Sequence, residues 1–274
     1  VGSSFVLLLR EGLEAALIIG IILGYLGKTG KRQFNIYVYG GALAGVAGSI
    51  IAAFVFNSLV GGFEGRVEEI FEGVIMLFAV CVLTYMIFWM HRQSREIGRE
   101  IKAKVDLAVN NNQVYGLFFL AFLSVFREGV EVVLFFQATM TTGDKLTSLI
   151  GGFLGLIGAV LIAYIVFRSS INLDLKTFFK ITGGILILIS AGLFARGTHE
   201  LQEAGVLPII VEHLYDINGI LNEKGIMGGF LKSMFGYNAN PSLLEVVFYW
   251  GYLLIIGKKF LQTYKKTNKQ ALNR

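Results

Sequence analysis

Cysteine is almost absent from this chain. The one present, Cys81, lies in an apolar run, so no intrachain disulfide can form and no thiolate metal cluster can be built. Charge is scarce as well: 16% of the 274 residues are Asp, Glu, Lys or Arg, where a soluble domain carries about a quarter. Together with 55% hydrophobic residues and a mean hydropathy of +0.67, that shortage excludes a soluble domain and predicts an all-α polytopic membrane protein. The net charge of +5 invites a nucleic-acid reading. In a membrane protein the same surplus marks basic loops on one face, and no nucleic acid is expected as a partner. The chain opens on Val1 rather than Met, and no leader is argued from that.

Apolar stretches of roughly 20 residues mark membrane-spanning helices. Seven are predicted, at 4–27, 36–58, 68–90, 114–140, 148–168, 177–197 and 242–262. Between the third and fourth, Ile97, Ile101, Val105 and Val109 recur four apart among charged residues and stop at Asn110, Asn111 and Asn112. That spacing predicts an amphipathic helix on the membrane surface. Residues 198–241 are mixed and glycine-rich and read as short helices on the other face. Of the 24 Lys and Arg, only Arg66, Lys145, Arg196, Lys224 and Lys232 fall on that other face, and Arg10 and Arg127 fall within spans. The remainder make the first face cytoplasmic, with the N-terminus outside and the C-terminus inside. The basic tail "KKFLQTYKK" reads as an interfacial anchor.

A shift of 111 residues lays Gly40, Gly41, Ile51 and Phe56 on Gly151, Gly152, Ile162 and Phe167, and Gly73 on Gly184. The first and fourth spans share a charged word, REGLE and REGVE, at a shift of 117, so three spans match three spans in order. A unit of three spans must enter the membrane from the opposite face in its second copy, so the two copies are expected to be inverted, an architecture typical of transporters. The expected organisation is a first repeat at 1–90, a cytoplasmic amphipathic linker at 91–113, a second repeat at 114–197, an extracytoplasmic connection at 198–241, and a seventh helix with its tail at 242–274. The glycine pairs Gly41/Gly45 and Gly151/Gly155 are expected to serve close helix packing.

Against this apolar background, "LLLREGLEAAL" at 7–17 and "FREGVEVVLFF" at 126–136 place an arginine and two glutamates at mid-span. Charge there is costly and by default functional. At about 100° per residue, Arg10, Glu11 and Glu14 share one helix wall, as do Arg127, Glu128 and Glu131. Gly12 and Gly129 keep a small surface beside them. A buried ion network that merely fixes packing accounts for one Arg with one Glu, but not for four carboxylates against two guanidiniums. Two carboxylates about 5 Å apart repel by roughly 3 kcal/mol at an effective dielectric near 20. Such a cluster suits a cation. All its ligands are hard oxygens, which disfavours copper(I) and zinc and leaves Fe(III), Mn, Mg or Ca. The formal charge of −2 suits a trivalent ion better than a monovalent one.

The words REGLE and REGVE, with "EEIFEG" at 68–73 and "GLFARGTHELQEAG" at 192–205, resemble those of the high-affinity, oxidase-dependent iron permeases of bacteria and fungi. Val130 stands where the first word has Leu13, a conservative departure. The resemblance covers most of the chain and implies a multi-pass plasma-membrane iron permease with no cofactor and no enzymatic activity. It implies iron as substrate, Fe3+ ahead of Fe2+. Glu11, Glu14, Glu128 and Glu131 would be its ligands, with Arg10 and Arg127 behind them. It also implies an extracytoplasmic partner that oxidises or binds iron; the bilayer is the other surrounding, and a homo-oligomer is compatible.

A path for the ion is expected at Glu64, Glu68, Glu69, Glu72, His199, Glu200 and Glu203, all on the outer face, where a merely solvated acidic surface is the competing reading. From the charged words the wall of the first helix continues outward through Ser3 and Ser4 and inward through Ile18, Ile21, Ile22 and Tyr25, a segment that reads equally as closed gate or ordinary packing. Cys81, Trp89 and Trp250 are assigned no function. Two alternatives stay open: a carrier of lead or a divalent cation on the same scaffold, and a carboxylate-metal membrane enzyme. Di-iron bundles use Glu-x-x-His pairs, and none of His91, His199 and His213 has Glu three residues before it. A non-transporting metal receptor is disfavoured by the repeat.

Overall fold

The structure is a computed structural model and describes residues 2–60, 64–93, 97–110, 114–140, 145–169, 175–223 and 225–272. These residues are mostly helical, apart chiefly from 204–223 and 236–242, and form no strand. The helices are α1 (Gly2–Lys28), α2 (Asn35–Val60), α3 (Arg66–Gln93), α4 (Ile97–Asn110), α5 (Val114–Met140), α6 (Lys145–Ser169), α7 (Leu175–Glu203), α8 (Ile226–Phe235) and α9 (Leu243–Leu272). The linker residues Asn111 and Asn112 lie outside the described residues, as does the side chain of Val109. Among the described residues, four helices are long and apolar enough to cross a membrane by composition, within α2, α3, α6 and α7. Every 18-residue window of α1 or α5 holds three charged residues, and it is the charged words that put them there.

One expectation at a helix end differs from the structure: residues 198–203, read with the connection, continue α7, which runs unbroken to Glu203. The basic tail is helical, α9 continuing through it to Leu272.

Glycines set the packing. A Cβ on Gly41 would meet the Phe118 carbonyl oxygen, and one on Gly45 would lie 2.9 Å from the Phe122 carbonyl oxygen. Across the core, a Cβ on Gly155 would meet the Phe5 carbonyl oxygen and lie 3.0 Å from Leu9 N. The backbones of α2 and α5, and of α6 and α1, therefore touch directly, as small residues in membrane helices permit. In both pairs the contacting residue numbers rise together, so the partners run parallel. Gly73 instead meets Gly197 and Leu201, while Gly183 meets Ile87, so α3 and α7 run antiparallel. Each leading helix of one half thus packs on the middle helix of the other half.

This exchange brings α1 and α5 together at the centre, antiparallel, with Leu7 and Phe135 sharing one buried cluster and Ile22 and Leu117 another. α2 and α6 are peripheral, only 22% and 28% buried over their apolar windows against 61% for α7. Their outward side chains, such as Leu43, Phe54, Phe153 and Tyr164, are apolar and exposed.

The bundle has two distinct ends. At one, α4 lies across α1 and α5, burying Ile101 and Val105 against Ile22, Leu26 and Leu117, and the Tyr25 hydroxyl donates to Asp106 Oδ1 at 2.6 Å. The moment of α4 is thereby spent on protein as well as on any membrane surface. At the other end, α8 closes on α7. Its C-cap Gly236 takes φ 67°, a left-handed conformation that favours glycine, and a Cβ there would meet Gly192.

Replacing Gly155 by Ala is expected to destabilise the protein by about 1–3 kcal/mol, because the added methyl meets backbone rather than a flexible side chain. Gly184, with nothing within 4 Å of a built Cβ, is the control: Gly184→Ala should gain up to about 1 kcal/mol of helix propensity. Thermal unfolding of the two variants in detergent measures the difference, and equal midpoints would contradict the direct α1–α6 backbone contact.

Candidate metal site

The two charged words face each other across the α1–α5 contact. Glu11 lies nine residues from the α8-side end of α1 and Glu131 nine from that end of α5, each roughly 14 Å below it at 1.5 Å per residue. Arg10 is buried, 2% exposed, and uses both arms: Nη1 is 3.1 Å from Glu11 Oε1 and Nη2 is 3.0 Å from Glu14 Oε1. Arg127 makes a looser arrangement. Its Nε donates to Glu131 Oε1 at 3.0 Å and stands 3.8 Å from Glu128 Oε1, while the side chain is 42% exposed.

Glu11, Glu128 and Glu131 each place one carboxylate oxygen within 4.8 Å of the others, the one such grouping of possible metal ligands among the described residues. Glu14, held by Arg10, stands outside it. Glu11 Oε2, Glu128 Oε2 and Glu131 Oε2 are buried without a hydrogen-bond partner among the described residues. Buried polar atoms are ordinarily satisfied, and an orphaned carboxylate oxygen is especially costly. Three converging carboxylates that each carry one suit a cation. Glu11 and Glu128 also border a cavity of about 410 Å³ between α1, α2 and α5, whose remaining walls are apolar apart from Ser49. Those walls offer an ion no ligand, so the carboxylates are its partners there.

Gly12 and Gly129 admit the flanking helices. A Cβ on Gly12 would lie 2.8 Å from Ala159 Cβ on α6, and one on Gly129 would collide with the Ser49 hydroxyl on α2. Ser3 and Ser4 are buried near the α8 end of α1, and Ser4 Oγ has no partner among the described residues. Toward the α4 end, Ile22 is fully buried and Ile18, Ile21 and Tyr25 pack around it.

The residues expected along the ion's path divide. Antiparallel packing of α3 on α7 puts them at one end of the bundle, and Arg66 Nε donates to the Ala204 carbonyl oxygen at 2.8 Å across that contact. Glu64 and Glu68 are exposed, while Glu69 and Glu72 are half-buried. Glu200 is buried in an ion pair with Arg196 at 2.9 Å. His199 stands 3.1 Å from Glu245 through Nδ1 and 3.3 Å from Glu203 through Nε2.

Sequence reasoning missed two residues here. Glu245 is the hub of the α8-end network, also accepting from Asn238 Nδ2 at 2.8 Å and from Ser242 N at 3.1 Å. Its signal was the acidic first turn of α9, hidden by the apolar run after it. Trp89, on α3, stacks under the Arg127 guanidinium with 4.3 Å from Cζ to the ring centre. A tryptophan in an apolar span gives no sign of that.

Fold and site together define a helical membrane protein built around a buried acidic centre at mid-span. Residues 3–264 match the Iron permease FTR1 family, and the chain belongs to it. Among curated proteins it is similar to the Ferrous iron permease EfeU of Yersinia pestis, 34% identical over 252 residues, spanning 91% of this chain and 89% of that protein. The protein of the same name from Shigella sonnei is 32% identical over 252 residues, 91% of each chain. No solved structure matches.

Glu11→Gln, Glu128→Gln and Glu131→Gln are each expected to weaken divalent-metal binding by about tenfold or more, the loss of one charged ligand being worth at least roughly 1.4 kcal/mol. Glu64→Gln, exposed and remote, should leave binding unchanged. Titration calorimetry with Mn2+ on the detergent-purified protein compares the four. Arg10→Lys keeps the charge but loses the two-armed contact, and is expected to destabilise the fold as well as weaken binding.

Proposed function

We propose that this protein carries iron inward across the cytoplasmic membrane through an ion site formed by Glu11, Glu128 and Glu131, with Glu14, Arg10 and Arg127 completing its charge. The observation that supports this most is the convergence of three carboxylates at mid-span, each with one buried, unpartnered oxygen. The scaffold we infer has seven spans, α1, α2, α3, α5, α6, α7 and α9, arranged as two inverted three-helix repeats plus one. In favour of the inversion stand the parallel pairs α1/α6 and α2/α5 and the antiparallel α3/α7 and α1/α5. The basic residues gathered at the α4 end make that end cytoplasmic and the α8 end outer.

Iron valence follows from charge. Four carboxylates and two guanidiniums leave −2, which a divalent ion neutralises fully and a trivalent ion overshoots by one. The relatives are named ferrous iron permeases, which does not favour the Fe3+ expected from the resemblance. We therefore read Fe2+ as the ion held in the cluster. An iron-handling protein on the outer face would deliver it, and the acidic residues at the α8 end would gather it.

Uptake of radioactive iron into proteoliposomes tests the assignment. Fe2+ kept reduced by ascorbate should be taken up faster than ferric citrate, and Glu128→Gln should abolish the difference; the opposite ratio would make Fe3+ the cargo. Equal uptake of lead or other divalent ions in the same vesicles would establish a broader metal carrier.

Glu69 and Glu72 belong to the gathering end rather than to the ion site. Attraction by exposed charge is screened over about 8 Å at physiological ionic strength. Replacing both with Gln should raise the iron concentration for half-maximal uptake and leave the maximal rate near wild type. A double variant inactive at every iron concentration would place them in the transport path itself.

A further inference from the structure

We infer that Trp89 is a positioning residue for the ion site: its ring holds the Arg127 guanidinium at the edge of the carboxylate cluster and keeps it from closing over the oxygens the ion needs. This rests on the iron-permease reading above and adds to it a residue from outside both charged words.

The two words have the same sequence pattern but different geometry. Arg10 shows what an unrestrained arginine does in this pattern. It turns inward, buries itself and divides its two Nη groups between the two carboxylates of its own word. Arg127 has the same two carboxylates within reach, yet it offers them only Nε, at 3.0 and 3.8 Å. Its guanidinium carbon instead lies 4.3 Å from the centre of the Trp89 ring. That is well inside the distance at which an aromatic face attracts a cation.

The consequence falls on ligand oxygens. Were Arg127 to fold in as Arg10 does, its Nη groups would take up charge from both Glu128 and Glu131, and the second word would hold an ion less strongly. With the guanidinium retained on Trp89, Glu128 Oε2 and Glu131 Oε2 stay buried and unpartnered. Trp89 is itself fixed, half-buried beside the core cluster of α3, α7 and α9. It is therefore a packed partner for a half-exposed cation. The guanidinium and the iron compete for the same two carboxylates, and the ring biases that competition toward iron.

The test compares Trp89→Phe and Trp89→Leu in iron uptake, each normalised to the protein in the vesicle membrane. Trp89→Leu should raise the half-saturating iron concentration by about threefold to tenfold, with the maximal rate little changed. Trp89→Phe, which keeps a weaker aromatic face, should fall between Leu and wild type. In an Arg127→Gln background Trp89→Leu should add no further loss of Mn2+ affinity, measured by calorimetry so that the cycle closes even where transport is lost. With Trp250→Phe leaving Trp89 as the sole tryptophan, Arg127→Gln should shift the emission maximum. Phe and Leu variants with equal half-saturation, a full Trp89→Leu effect without Arg127, or an unshifted emission would each overturn the inference. Loss of the Glu128→Gln effect on uptake would instead overturn the permease reading beneath it.

Discussion

Two guanidiniums hold four carboxylates in the middle of an apolar bundle, and the rest of the structure serves that arrangement. Removing a charge from water costs several kcal/mol even after relaxation, so each of these six groups needs partners within reach. Arg10 supplies two of them outright. The helices that carry the words must then come close enough for Glu11 to meet Glu128 and Glu131, and no bulky residue can stand between them and their neighbours. Gly12 and Gly129 within the words, and Gly45 and Gly155 on the flanking helices, meet that demand. The glycine content of α2 and α6 is thus a consequence of the charge on α1 and α5.

The exchange of partners between halves has the same origin. If α1 packed chiefly on α2, and α5 on α6, each word would face its own half, and three carboxylates from two words could not converge. Packing α1 on α6 and α5 on α2 leaves the remaining faces of α1 and α5 free for each other. Within that symmetric frame the two words differ in function. The first is a buried salt-bridged unit whose arginine is divided between both of its carboxylates. The second has an arginine 42% exposed and shared with a ring.

Much of this was legible in the sequence, and the limits are physical. Helix α5 was expected at 114–140 and runs from Val114 to Met140, because a long apolar run ending at polar residues has few other options. The charged words stood out for the opposite reason, being the residues an apolar helix should not have. The glycine pairs could be read as packing surfaces, since little else rewards small residues at that spacing. What could not be read was which surface met which. The parallel contact of α1 with α6 joins residues some 147 apart, as in Gly12 and Ala159, and no local pattern encodes it. Trp89 was passed over for the same reason: alone it is one more apolar side chain, and its role exists only once α3 lies beside α5.

The α8 end shows why acidic residues near a site are not all equivalent. Glu245 has both oxygens engaged, by His199, Asn238 and the Ser242 amide, and Glu200 is taken by Arg196. Such carboxylates add negative potential at that end but have little left to offer a bare ion. Their nearest structural effect is to tie α7 to the start of α9 and to hold α8 over the bundle. The central three differ in having spent one oxygen and kept one free. A cation arriving from the α8 end would therefore pass from groups that attract it to groups that can bind it, losing its water where carboxylate oxygen first becomes available in exchange. Below that point Ile22, Leu26 and Leu117 close the way beneath α4, and apolar side chains offer the ion nothing to exchange for. On the proposed reading, onward movement of the ion would require the α4 end to part.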